Sequence, residues 1–564
     1  MNRQIIRNLL YTLLVLAVVP WGLKQAEAGP GGGTYYANSP SGGASGPALR
    51  KFVDSLPGVG PANANNLGQY IPVATPVIGK AGVPNDGDYY EIGVVQYAEK
   101  MHSDLPKKTL MRGYVDLNPV FGAVSSAHSR AHYLGPLIIA KKDRPVRVKM
   151  TNLLPTGAAG KLFIPTDTSI MGSGIGPLSS NGTPCSVSRP DPSNPTVMVS
   201  ENCATNVSYT QNRAVFHLHG GNSPWISDGT THQWTVPAGE NTPYRKGVST
   251  RDVPDMPASG NGSMTYFWTN QQSNRMMFYH DHSLGITRLN VYAGEAAGYL
   301  LTDPTEEGLI NSGVLPDAGG VYRYGIPLII QDKTFVPQNI DVQDSLWRLN
   351  SKGVATNWGI YGDLWFPHVY EPNQDPTSPA GANPFGRWDY GPWFWPPISI
   401  AADRSTLPEP TVTPEGFHDT MLVNGTAYPY LTVQPKAYRF RILNAANDRS
   451  LNLSLFYSDP NDPSGKEVKM VPAGPNPSFP AGWPTDGSPG GVPDPGTVGP
   501  NIIQIGSESG FLPFPVIHPN QPVNYNYNRR DIVVLNVQEK NLFMGAAERA
   551  DVVIDFSLFR QVRH

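Results

Sequence analysis

Glycine and proline interrupt this chain too often for it to be built from long helices. The 564 residues hold 58 Gly and 57 Pro, a combined share well above the roughly 12% of average usage. In a helix interior proline lacks the donor N–H and collides with the preceding turn, and glycine gives up the most backbone entropy. Short segments of alternating character lie between the breaks. In Val146-Arg147-Val148-Lys149-Met150 apolar residues alternate with bases, so one face is predicted buried and the other wet. Tyr438-Arg439-Phe440-Arg441-Ile442 repeats the pattern far along the chain, and an asparagine follows each copy, Asn152 and Asn444. Two copies of a β-sandwich would produce that repetition. Charged residues at 15%, with 39% hydrophobic and 10% aromatic, argue against global disorder. The net charge is −3 and no basic run stands out, which excludes nucleic acid as the expected ligand.

The first 28 residues read as a secretory signal. Arg3 and Arg7 give a basic start, Leu9 to Val19 is an apolar run too short for a bilayer, and Ala26-Glu27-Ala28 is a small-residue cleavage pattern. The expected mature chain starts at Gly29 and is secreted or periplasmic; an uncleaved anchor is the alternative. No later stretch reaches the ~20 apolar residues of a membrane helix, so no membrane association is expected after signal removal. Cys185 and Cys203 bracket a loop rich in Ser, Pro and Asn. In an exported chain the pair reads as a disulfide pinning that loop.

The chemistry concentrates in two His-X-His units. One is Val215-Phe216-His217-Leu218-His219-Gly220-Gly221, and the other is Met277-Phe278-Tyr279-His280-Asp281-His282. Both sit in apolar, aromatic, strand-like contexts. Residues i and i+2 of a strand point to the same face, about 6.6 Å apart. Each unit therefore aims two imidazoles one way, while Leu218 and Asp281 face the other. If the two strands run side by side, all four rings converge, and neutral imidazole suits copper, zinc, iron or nickel. A cupin would place a glutamate a few residues after such a pair, but the first acid after His219 is Asp228.

These residues resemble a known family. His217-Leu218-His219-Gly220-Gly221, followed by Asp228-Gly229 and Trp234, is similar to the first copper motif of the three-domain multicopper oxidases. Tyr279-His280-Asp281-His282, running into Thr287-Arg288-Leu289-Asn290, is similar to the second, and the nearest branch is that of spore-coat laccases and bilirubin oxidases. Further similarity lies in Lys51-Phe52-Val53-Asp54, His102-Ser103-Asp104, Leu422-Val423-Asn424-Gly425 and Glu548-Arg549-Ala550-Asp551-Val552-Val553. The resemblance implies a mostly β chain of tandem cupredoxin-like Greek-key β-sandwiches with long Gly/Pro-rich loops. Residues 29–85 would then be a flexible leader and N-terminal arm, 86–305 a first domain carrying both His-X-His motifs, and 320–564 a second domain incomplete at its C-terminus. It implies that His217 binds a type 2 copper and that His219, His280 and His282 bind a type 3 pair. Asp228 would assist proton delivery to oxygen, although Asp-Gly is also a strong turn signal by itself.

The family's two remaining copper motifs, His-Pro-X-His-X-His and His-Cys-His, are absent from the sequence. By the resemblance, half of the trinuclear ligands and the whole type 1 copper site are therefore missing. The expectation is the N-terminal part of a copper-dependent oxidase that couples one-electron oxidation of a small reducing substrate to reduction of oxygen to water. A third domain or a partner chain would supply the rest. The alternative is a non-catalytic periplasmic copper- or zinc-binding protein using the same four histidines. Two Gly/Pro-rich stretches, Pro372 to Pro414 with its cluster of aromatic residues and Asp459 to Pro500, read as insertions.

Overall fold

The computed structural model describes residues 49–168, 171–174, 176, 208–338, 340, 347–348, 355–366, 418, 420–463, 465–487, 490–526, 528, 530, 532, 537–538 and 541–557, with the backbone alone of 186–191 and 194–202. The predicted signal segment, Cys185, Cys203 and the stretch 372–414 lie outside these residues.

The chain is mostly β, as the Gly/Pro breaks require. Strands β1 (Asp88–Glu99), β2 (Thr109–Asp116), β3 (Leu134–Lys141), β4 (Val146–Asn152), β5 (His217–His219), β6 (Ser263–Trp268), β7 (Arg275–His280) and β8 (Ala296–Thr302) form two four-stranded sheets. One has the order β2-β1-β4-β6 and the other β3-β8-β7-β5. Parallel pairing joins β1 to β4 and β3 to β8, and the other neighbours are antiparallel. Ile92, Val94, Val148 and Met150 from the first sheet pack on Phe216, Met277, Tyr279 and Leu301 around the second. Period-two side chains from two sheets thus fill one interior, the expected cupredoxin-like sandwich.

Two short helices follow the histidine strands, α1 (Thr287–Ala293) and α2 (Pro304–Asn311). Helix α2 starts with proline at its first position, where no N–H is needed, and Asp303 caps it by accepting from the Glu306 N–H at 2.8 Å. The chain then builds a second, larger sheet from β9 (Ile326–Phe335), β10 (Thr420–Val423), β11 (Thr426–Ala427), β12 (Ala437–Asn444), β13 (Ile502–Ser507), β14 (Gly510–His518) and β15 (Arg549–Asp555). Their order is β11-β10-β9-β12-β15-β13-β14, with Leu364–Trp365 paired to the end of β9.

The repeat read from the sequence has a structural counterpart. Strand β12 runs parallel to β9 as β4 runs parallel to β1. The two asparagines also do the same job. Asn152 donates to the carbonyls of Asn212 and Thr235 and accepts from the Leu154 N–H. Asn444 donates to the carbonyls of Arg449 and Met544 and accepts from the Ala446 N–H.

The wet face expected for the bases is a correction. Arg147, Arg439 and Arg441 are each 1–2% exposed, and only Lys149 keeps partial exposure. Each guanidinium is buried because carboxylates meet it. Arg147 pairs with Asp86 and Asp255. Arg439 contacts Glu306 at 2.7 Å and Asp551 at 2.6 Å, and Arg441 contacts the same two acids. Alternation reports which side chains share a face, not whether that face meets water or fixed counter-charges.

One apolar cluster spans both halves, joining Met276, Phe278 and Tyr292 to Ile329, Leu422 and Leu443. The arm before β1 ties to both: the Ala74 N–H donates to Leu137 and the Phe52 N–H to Tyr428, each at 2.8 Å. Among the described residues no helix is long and apolar enough to cross a membrane.

Glu306→Gln leaves two buried guanidinium groups sharing the one carboxylate of Asp551. It is expected to lower the unfolding free energy by about 3–5 kcal/mol. Glu307→Gln, which removes the neighbouring surface pair with Arg323, should cost at most ~1 kcal/mol. Urea unfolding of the two variants side by side checks this, and equal midpoints would contradict it.

Candidate metal centre

Strand β5 is three residues long and, among the described residues, lies at the edge of its sheet, paired with β7. The antiparallel register sets His217 opposite His280, Leu218 opposite Tyr279 and His219 opposite Phe278. Because facing residues share a side, His217, His219, Phe278 and His280 project together, and His282 follows just beyond the strand end. All four imidazoles converge. Ring centroids are 4.8 Å apart for His217–His282, 5.4 Å for His217–His280, 5.5 Å for His219–His280 and 5.7 Å for His280–His282.

Hydrogen bonds fix which nitrogens are free. His217 Nδ1 lies 2.6 Å from the Asp228 carbonyl, and His280 Nδ1 lies 2.6 Å from the Asp281 carbonyl. A carbonyl accepts only, so each Nδ1 carries a proton and Nε2 is the nitrogen turned to the site, the arrangement of a metal-ligating imidazole. His219 Nδ1 and His280 Nε2 stand 3.3 Å apart. Two nitrogens bound tetrahedrally at about 2.0–2.1 Å to one ion would have nearly that separation. His282 Nδ1 is buried without a hydrogen-bond partner, an orphan that a metal would satisfy. Donor atoms of His217, His219 and His280 all fall within 4.8 Å of one another, so these three could hold an ion.

Desolvation, reinforced by the neighbouring cations and rings, brings His219 down to about 4 and His280 down to about 3. Burial lowers His282 as well, followed by the influence of His217. Three rings are therefore neutral near pH 7 and present lone pairs rather than protons. The rings open on a cavity of about 430 Å³ whose other wall comes from the second sheet's loops, through Ala445, Asn447 and Ala547, with Arg288 of α1 at its side.

Asp228 sits behind His217. Its backbone carbonyl orients the ring, and its carboxylate Oδ1 lies 3.8 Å from His217 Nδ1 with the side chain 39% exposed. The turn reading of Asp-Gly holds at the same time. Gly229 has φ +69°, and a Cβ there would run into the Phe216 carbonyl. Only glycine lets this turn close on the strand that carries His217.

Asp281 faces away from the histidines, as expected, and is fully buried. Its carboxylate accepts from the Val215 N–H at 3.0 Å, the Ser283 N–H at 3.0 Å, the Ser283 hydroxyl at 2.8 Å and Asn290 Nδ2 at 2.9 Å. It therefore stitches the approach to the first motif to the exit of the second and to α1. Sequence reasoning gave Asp281 its direction but not this task, since none of its partners is recognisable before the chain folds. It gave no role to Phe278, whose ring stacks on His219 at 4.6 Å and 17°, nor to Arg549, which comes from the far end of the chain. His102, His132, His418 and His518 do not join the group; each is engaged elsewhere, with Arg50, Glu99, Thr334 and Gln504.

No family model matches the chain. It is 27% identical over 512 residues to the laccase of Bacillus subtilis, covering 91% of this chain and 60% of that protein. It is 28% identical over 513 residues to the laccase of Bacillus stratosphericus, with the same two coverages. Bilirubin oxidase of Albifimbria verrucaria is 27% identical over 271 residues, 48% of this chain and 31% of that protein. The chain spans about three fifths of the length of the two laccases it matches. A solved multicopper oxidase variant from Aquifex aeolicus matches 91% of this chain and 58% of its own at 17% identity, with a TM-score of 0.43.

Asp281→Asn places an amide donor where two of the four donors already point. It is expected to cost about 2–3 kcal/mol, read as a lower thermal midpoint without any metal present. An unchanged midpoint would show that the four bonds do not hold the motif strands.

Proposed function

We propose that this chain, a relative of the laccase-type multicopper oxidases, binds copper through His217, His219, His280 and His282. It is, on this reading, the N-terminal part of an exported oxidase that couples one-electron oxidation of a small reducing substrate to reduction of oxygen to water. The observation that carries the proposal is the convergence of four imidazoles from two paired strands, two of them fixed by carbonyls in the ligating tautomer.

By the resemblance, His217 holds the type 2 copper, and His219, His280 and His282 hold the type 3 pair. When bound, copper supplies the one-electron chemistry that no side chain here offers. The chain's own residues do the rest. The Asp228 and Asp281 carbonyls keep His217 and His280 pointed at the site. Phe278 and the alanines of the opposite wall limit water on one side. Asp228, 3.8 Å from His217 and open to solvent, is placed to relay protons between the site and bulk water. The sequence contains no His-Cys-His, so the type 1 centre and the remaining ligands belong, on this proposal, to polypeptide outside these 564 residues. The basic start and apolar run of the first 28 residues support export.

A second reading has its own support. The three histidines whose donors lie within 4.8 Å of one another could hold one copper or zinc ion without any oxidase activity.

Metal titration of the purified chain separates these readings. The oxidase reading expects copper binding that His217→Ala and His280→Ala each weaken at least tenfold, and more than one copper per chain once the missing polypeptide is supplied. A single equivalent of zinc or copper, unchanged by reductant, oxygen or added polypeptide, supports the binder. Metal content unaffected by both substitutions would sink both readings.

A further inference from the structure

The weakest element of the metal centre is β5. It carries two of the four histidines, yet it is three residues long and, among the described residues, has a sheet neighbour on one side only. Such a strand has few ladder bonds of its own, so its position must be fixed by side chains.

Arg549 does this from the second sheet. It opens β15 and is 5% exposed. Its backbone N–H is held by Glu508 at 2.7 Å. Its guanidinium leaves its own sheet: Nη1 donates to the Ala547 carbonyl at 2.7 Å and Nε donates to the Met276 carbonyl of β7 at 3.2 Å. The other amine, Nη2, lies against Gly220, the residue directly after His219. A Cβ at Gly220 would stand 2.5 Å from it, and Gly220 has φ +85°. The backbone turn requires glycine, and the absent side chain leaves the space the guanidinium occupies. The guanidinium carbon is also 5.9 Å from the centre of the Phe278 ring, which stacks on His219 and lies 5.2 Å and 25° from His280. One buried cation thus touches the exit of the first motif, the strand of the second, and the aromatic ring between their histidines.

We propose that Arg549 is a positioning residue for the metal centre, fixing His219 through Gly220 and Phe278 from the second sheet. The proposal rests on the copper reading for its metal consequences, but the ring placement it describes exists without metal. A fork that bonds the β7 backbone and fills the space beside Gly220 needs the planar guanidinium. Lysine preserves the charge and not the fork.

The experiment uses the full chain with labelled histidine, as wild type, Arg549→Met, Arg549→Lys and Phe278→Leu. In the metal-free chain, imidazole nitrogen spectra are expected to show the His219 signal displaced or broadened in all three variants, with His102 and His518 unmoved as reporters of an intact fold. In copper titrations the same variants are expected to lose roughly 10- to 100-fold in affinity, the usual range for residues that orient ligands, with an altered copper EPR spectrum. An unmoved His219 signal in folded Arg549→Met overturns the proposal, whatever the copper result. Recovery of the wild-type His219 signal by Arg549→Lys also overturns it, because charge alone would then suffice. If wild type binds no copper while His219 still moves in Arg549→Met, the copper reading fails and the positioning role stands. Should Arg549→Met not fold, Arg549→Lys and Phe278→Leu decide on the same signal.

Discussion

The pairing of β5 with β7 is the interaction on which the candidate site depends. Its register sets His217 against His280 and His219 against Phe278. Side chains alternate along a strand with period two, so a slip of one residue would turn His217 and His219 into the core and Leu218 out of it. Leu218 is 2% exposed and belongs to the sandwich interior with Tyr279, so the apolar core opposes that slip directly. The histidine face is thus defined by what the opposite face buries. Asp281, Gly229 and Gly220 add the local constraints: a carboxylate that gathers donors from both motifs, and two glycines where a side chain would collide.

The sequence was legible where a pattern is local and period-bound. His-X-His in an apolar strand context states that two rings share a face, and that is where the rings lie. The repeat was legible for the same reason, since each alternating strand with its trailing asparagine is a self-contained signal; Asn152 and Asn444 make matching sets of bonds. What alternation cannot encode is the partner of the second face. Arg439 and Arg441 looked solvent-facing because bases usually are, but Glu306 of α2 and Asp551 of β15 meet them in the interior. Those acids lie more than a hundred residues away on either side, and nothing near the arginines in sequence announces them. Arg549 escaped notice similarly: a base in a strand has no local sign that it will leave its sheet.

The polar chemistry beneath the histidines is less evenly matched than that around Arg439 and Arg441. Asp281 and Glu295 are both fully buried, and burial raises both carboxyls above their ordinary values. Asp281 recovers part of that cost through four hydrogen bonds. Glu295 faces Arg112 at 3.9 Å, and Arg112 in turn donates to the carbonyls of Gln211 and Gly160. The result is a buried polar layer on one side of β7, while the other side presents the imidazoles. The two environments differ because one buries two carboxylates and a guanidinium while the other opens on a cavity lined in part by alanine and phenylalanine.

That cavity is a property of the whole described fold rather than of the first sandwich. Its far wall is built from the loops after β12 and before β15, and the core that holds this wall in place is continuous with the core behind Phe278. Any motion of the second sheet relative to the first would have to break that shared core, release the arm that bonds both Leu137 and Tyr428, and withdraw Arg549 from the β7 backbone. Each contact is modest alone, but they act on the same rigid-body displacement and so oppose it together. The four histidines come from one stretch of sequence, yet the space they face, and the stiffness with which they face it, require residues from a second sheet that begins forty residues later and closes near the end of the described chain.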